Sequence, residues 1–137
     1  MQKTLFLLVT LLSLTLSSCG GGGSAPSTTI DVTLTDFAFT PNAFTIPAGQ
    51  EITLKVLNNG AVVHNFIIMK LGTSAGDSFD SEDEPNVFWS ERDIPPGGDL
   101  NVTFTAPTEP GDYQVVCKTQ GHIASGMIAT VTVVANQ

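Results

Sequence analysis

Apolar residues recur at every second position in short runs along most of this chain. Ile30-Val32-Leu34, Ile52-Leu54-Val56, Phe66-Ile68, Val102-Phe104 and Val131-Val133 each put their apolar side chains on one face of an extended segment. Turn-forming clusters separate the runs: Pro47-Ala48-Gly49, Asn58-Asn59-Gly60, Pro95-Pro96-Gly97-Gly98 and Glu109-Pro110-Gly111. After residue 18 no stretch carries a long helical period. The pattern predicts an all-β domain over residues 30–137, a Greek-key β-sandwich of about seven to eight strands.

The first residues follow a different logic. Lys3 precedes an apolar stretch from Leu5 to Leu16, too short to cross a bilayer as a helix but suited to a signal peptide over residues 1–18. Leu16-Ser17-Ser18-Cys19 resembles a bacterial lipobox, which makes Cys19 the candidate lipidation site. Residues 19–29 are rich in Gly, Ser and Pro and read as a flexible tether, with a reach of at most about 36 Å when extended. These features predict an exported protein held by a lipid anchor at the periplasmic or extracytoplasmic face of a bacterial membrane.

The chemistry is concentrated near the other end. Cys117-Lys118-Thr119-Gln120-Gly121-His122-Ile123-Ala124-Ser125-Gly126-Met127 offers a thiolate, an imidazole and a thioether within 11 residues, between two β-like segments. A second imidazole, His64, lies upstream in Val62-Val63-His64-Asn65-Phe66. Taken singly, a Cys or Met in a β-rich chain is core filler. Together, two His and a Cys with a weak axial Met form the ligand set of a blue-copper electron-transfer site. With Cys19 acylated, Cys117 is a solitary thiol in an oxidising compartment, a liability that a bound copper ion removes. Tyr113 to Cys117 reads as a strand ending at the thiolate, with Met127 opening the returning strand. Three ligands then come from one hairpin and His64 from another strand at the same pole.

The C-x4-H-x4-M loop, with Gly121-His122 and Gly126-Met127, resembles the cupredoxins and among them the auracyanins. The likeness extends through Phe37-Ala38-Phe39-Thr40-Pro41, Ile46-Pro47-Ala48-Gly49, His64-Asn65-Phe66 and Pro107 to Tyr113, so it spans roughly residues 30 to 134. Gln120 stands where many relatives have Pro, and Ala129 where a Gly commonly follows the Met. The resemblance implies one type 1 copper ion held by His64, Cys117, His122 and Met127. It also implies that the Asn65 amide ties the His64 segment to the Cys117 loop.

Such a site shuttles single electrons between a redox donor and acceptor. His122 is expected nearest the surface as the exit for the electron, with Ile123 and Ala124 beside it at a docking face and Asn59 to Val62 adding to an apolar rim. The net charge of −8 excludes nucleic acid, whose phosphates demand Lys and Arg, and leaves a basic protein partner open. Asp77 to Glu84 carries five acids in eight residues. It reads either as a solvated loop or, through Asp80, Glu82, Asp83 and Glu84, as a patch steering a basic partner such as a c-type cytochrome or a membrane electron-transfer complex. A monomer is expected.

Two His are too few for the additional copper centres of a multicopper enzyme, and Met is a poor ligand for zinc. An enzyme is therefore not expected. Copper storage or delivery by the same four residues is the alternative, and a metal-free adhesion module ranks below it.

Overall fold

The computed structural model describes residues 25–136. Among the described residues nine strands form two sheets: β1 (Thr29–Thr35), β2 (Ala38–Thr40), β3 (Ala43–Pro47), β4 (Glu51–Asn58), β5 (His64–Met69), β6 (Val87–Ile94), β7 (Asp99–Thr105), β8 (Gly111–Val116) and β9 (Ile128–Val134). A 3-10 turn, Glu84–Asn86, precedes β6. One sheet runs β2-β1-β4-β7 and the other β3-β9-β8-β5-β6. The chain crosses between sheets after β2, β3, β4, β6 and β7, which gives the sandwich its Greek-key path.

The alternating runs do what their spacing requires. Ile30, Val32 and Leu34 of β1 are buried with Ile52, Leu54 and Val56 of β4, and the two strands pair in parallel with Ile30 opposite Leu54 and Val32 opposite Val56. Across the sandwich they meet Phe66, Ile68, Val115, Val131 and Val133. Phe66 holds the sheets together, with its ring 5.7 Å from that of Phe39 on β2 and 6.1 Å from that of Phe44 on β3. Trp89 stacks on Phe104 at 4.5 Å, which makes it a half-buried anchor between β6 and β7. The hydroxyl of Tyr113 donates to the Glu109 carbonyl at 2.7 Å and closes the bend into β8.

The sandwich agrees with the sequence, but the strand count of seven to eight is low. The three segments that showed no clear alternation, β2, β3 and β6, are all strands. β2 is only three residues long. β3 ends on a Pro and pairs in parallel with β9 at the sheet edge. β6, also an edge strand, is charged and mostly half-exposed.

β5 departs from simple alternation, because all six of its residues are buried. Phe66 and Ile68 face the main core. Ile67 and Met69 face outward into a smaller apolar cluster with Ala75, Val116 and Ile123, against which Phe79 and Val87 pack. The segment after β5 therefore lies over the sheet, fixed by Phe79 and by the Ala75 N–H donating to the Gln114 side chain at 2.9 Å. Ile123, expected at a docking face, is 4% exposed and packs mainly into this cluster. Its apolar neighbour in the loop, Ala124, is exposed.

Candidate metal centre

Strand ends bring the site together. His64 is the first residue of β5, Cys117 follows the last residue of β8, and Met127 immediately precedes β9. His122 sits in the intervening loop, whose shape is set by its own backbone. The His122 N–H donates to the Thr119 carbonyl, Gly126 N–H to Ile123 and Met127 N–H to His122, at 2.8 to 3.0 Å. Gly121 (φ +81°) and Gly126 (φ +93°) occupy left-handed positions on either side of His122, where a side chain would be strained. That is the physical reason for Gly at these two points in the motif.

The three nitrogen and sulfur donors of His64, Cys117 and His122 all lie within 4.8 Å of one another. His64 Nδ1 is 3.7 Å and His122 Nδ1 3.5 Å from Cys117 Sγ. Met127 Sδ is 3.3 Å from His122 Nδ1. His64, Cys117 and Met127 are fully buried, and His122 keeps 5% exposure, the most of the four. Burial, with the neighbouring His122 ring as a lesser cause, holds the His64 imidazole below its ordinary pKa, and burial does the same for His122. Both rings are thus kept in the neutral form that offers a lone pair. Cys117 is a free thiol.

This donor set fits a copper ion. Two imidazoles and a thiolate with a thioether match the soft and borderline ligands that copper takes in both oxidation states.

Asn65 bridges the two halves of the site. Its Nδ2 donates to Thr119 Oγ1 at 3.3 Å and points at Cys117 Sγ from 3.8 Å. Its Oδ1 accepts the Asp93 N–H at 3.2 Å, where β6 carries one residue more than β5 between paired positions. That bulge turns the Asn65 side chain toward the loop. Thr119 Oγ1 in turn donates to the Val63 carbonyl at 2.8 Å, a second tie between the segments. Asn58, read from sequence only as part of a turn, is buried and donates to the Val62 and Ile94 carbonyls at 2.9 Å. It fixes the approach to His64.

Two residues at the site carried no chemical signal in the sequence. Asp36 Oδ1 is 3.2 Å from His64 Nε2, and both of its carboxylate oxygens accept the Ala61 N–H at 3.1 Å. The Ala61 N–H is the main reason its carboxyl is held below the usual pKa. Phe37 sets its ring edge-on to His122 with centroids 5.2 Å apart and remains half exposed. Phe37, which packs on His122, and Val62 and Val63, which precede His64, are exposed large apolar side chains.

The acidic segment lies close by. Ser78 and Phe79 share a shallow depression with Lys118, Thr119, Gln120 and Gly121 of the ligand loop. Asp80 and Glu82 are exposed and Asp83 is half-exposed. Glu84 forms a two-pronged ion pair with Arg92 at 2.9 Å on both oxygens, which offsets its charge. Cys19 and the segment 1–18 lie outside the described residues.

Residues 4–131 match the model of the cupredoxin-like domain. Auracyanin-A of Chloroflexus aurantiacus is 31% identical over 141 residues, which take in 83% of this chain and 86% of that protein. The dithionite-reduced auracyanin of Roseiflexus castenholzii superposes with a TM-score of 0.68 at 32% identity, over 80% of this chain and 99% of its own. Auracyanin A, described as a "blue" copper protein from Chloroflexus aurantiacus, superposes with a TM-score of 0.62 at 30% identity, over 80% and 100%.

Proposed function

This chain belongs to the cupredoxin family, and we propose that it is a type 1 copper electron carrier tethered to the extracytoplasmic face of a bacterial membrane. The observation that carries the reading is the convergence of His64, Cys117 and His122 donors within 4.8 Å in a buried pocket. Cys117 as thiolate with His64 and His122 would hold the ion, and the Met127 thioether would add a weaker ligand. Bound copper supplies a one-electron couple between Cu(II) and Cu(I).

The chain's own residues make that couple usable. Ligands anchored at strand ends move little, so little rearrangement accompanies a change of charge. Burial keeps solvent from the thiolate. His122 is the ligand nearest the surface, and Ala124, Phe37, Val62 and Val63 supply an apolar rim around it on which a redox partner docks. Asp80, Glu82 and Asp83, in the segment whose Ser78 and Phe79 adjoin the ligand loop, steer a basic partner such as a c-type cytochrome or a membrane electron-transfer complex. Glu84 contributes less because Arg92 neutralises it. Association with such a partner is expected to slow as ionic strength rises, read by stopped-flow mixing.

Asn65 holds the two ligand segments in register and draws electron density from the Cys117 sulfur. Asn65→Ala leaves the Asp93 N–H and the Thr119 hydroxyl short of a partner, costing about 1–3 kcal/mol of stability in thermal unfolding. It also lowers the reduction potential, because the thiolate then favours Cu(II) more. An unchanged potential would show that the amide serves packing alone.

The tether follows from sequence: a signal peptide over residues 1–18, lipidation at Cys19, a linker over 19–29 and the domain over 30–137. A monomer carrying electrons within reach of the membrane needs no more. The test is kinetic. Fast electron self-exchange with slow loss of copper to a chelator marks a carrier. Ready release to the chelator marks a storage or delivery protein built on the same four residues.

A further inference from the structure

The turn between β1 and β2 is two residues long, Asp36-Phe37, since Thr35 pairs with Ala38. Phe37 there has φ +75°, a left-handed conformation that a bulky side chain adopts only at a cost on the order of 1–3 kcal/mol, where Gly or Asn is the ordinary choice. The strained turn delivers one group to each imidazole of the site: the Asp36 carboxylate to His64 and the Phe37 ring to His122. The carboxylate contact is the more directed. His64 turns Nδ1 toward Cys117 and Nε2 toward Asp36, so the two ring nitrogens have separate tasks.

Gly60 has no left-handed φ, so its backbone does not require glycine. A Cβ at that position would lie 2.5 Å from His64 Nε2 and 2.6 Å from Asp36 Oδ1. The missing side chain leaves room for the carboxylate and the imidazole to meet. Asp36 is also held from behind by the Ala61 N–H on both oxygens, so it does not depend on His64 for its position.

We propose that Asp36 is a positioning residue of the copper site, its carboxylate accepting the Nε2–H of His64 and so fixing the tautomer that leaves Nδ1 free for the metal. Hydrogen bonds of this kind orient metal-binding His and raise their basicity. A carboxylate in this position also stabilises the more positive oxidation state and sets the couple lower than a neutral partner would. The inference rests on the copper reading above for its redox part only; the tautomer is a property of the metal-free chain.

The test uses the full chain and its Asp36→Asn and Asp36→Ala variants. Nitrogen-15 NMR of the metal-free proteins reads the His64 tautomer, expected as Nε2–H in the wild type and Asp36→Asn and as a mixture in Asp36→Ala. Titration with Cu(II) against a competing chelator is expected to show a roughly 10–100-fold loss of affinity in Asp36→Ala. In Asp36→Asn, which keeps an acceptor but removes the charge, the couple is expected to shift about tenfold toward Cu(I), or about 59 mV upward. Gly60→Ala, which wedges the pair apart, should reproduce the tautomer mixture. An unaltered tautomer in Asp36→Ala with a potential within twofold of wild type in the equilibrium constant would overturn the proposal. Should Asp36→Ala fail to fold, Gly60→Ala decides the tautomer and Asp36→Asn the potential. A wild type that takes up no copper would sink the carrier reading, while the NMR result would still decide whether Asp36 sets His64.

Discussion

Cys117→Ser extinguishes the intense visible absorption of the copper-loaded protein and its reversible redox couple, while the domain stays folded. The absorption needs a thiolate bonded to Cu(II), and a Ser hydroxyl is neither ionised at neutral pH nor a soft donor. The two atoms are close in size, so the buried pocket accepts the change with little rearrangement. The Asn65 amide, 3.8 Å from the sulfur, remains at hand to meet the new hydroxyl. The cost in stability is held to about 1–3 kcal/mol, the penalty for an imperfectly paired buried polar group. Absorption spectra, voltammetry and thermal unfolding of the two proteins side by side give the answer. A Cys117→Ser protein that kept the band would place the copper elsewhere.

Phe66→Ala removes about 3–5 kcal/mol of stability, a large part of what a domain of this size possesses. Phe66 is fully buried and its ring meets Phe39 and Phe44, which stand on different sheets. Deleting it opens a cavity between the sheets that the surrounding strands cannot close without shifting β5. Because His64 lies two residues before Phe66 on that strand, loss of packing also loosens the metal site. Denaturant unfolding with and without copper is the measurement, and the metal-loaded form should recover part of the loss by mass action. A loss under about 1.5 kcal/mol would be that of a tolerated core swap and would deny Phe66 its place between the sheets.

The parts of this molecule legible in sequence were those whose signal is local. Period-2 runs announced β1, β4, β5, β7 and β9, because one face of each had to be apolar. Cys117, His122 and Met127 share one hairpin loop, so their spacing was enough to suggest a common site, and His64 stood out as the only other imidazole. Where neighbours far along the chain decide, the signal vanished. Edge strands β2, β3 and β6 lack alternation because they are short, end on Pro or keep polar faces. Ile123 looked like a surface residue beside His122, but the segment after β5 folds over it and makes it core. Asp36 and Phe37 were invisible as parts of the site for the same reason. Their contacts with His64 and His122 exist only because β1 and β4 pair in parallel and bring the Asp36-Phe37 turn over the ligand pole.

The acidic run at Asp77 to Glu84 illustrates how structure sharpens an ambiguous pattern. From sequence it was as much a solvated loop as a docking patch. Its attachment through Phe79 and Ala75 places it next to the ligand loop, and Arg92 removes Glu84 from the free charge. Asp80 and Glu82 are left facing solvent.

The most direct measurement is the visible spectrum of the wild-type domain after addition of one equivalent of Cu(II), before and after ascorbate. An intense blue or green band that bleaches on reduction and returns on reoxidation is expected. A protein that stays colourless and retains no copper after desalting would contradict the assignment of His64, Cys117, His122 and Met127 as a type 1 site.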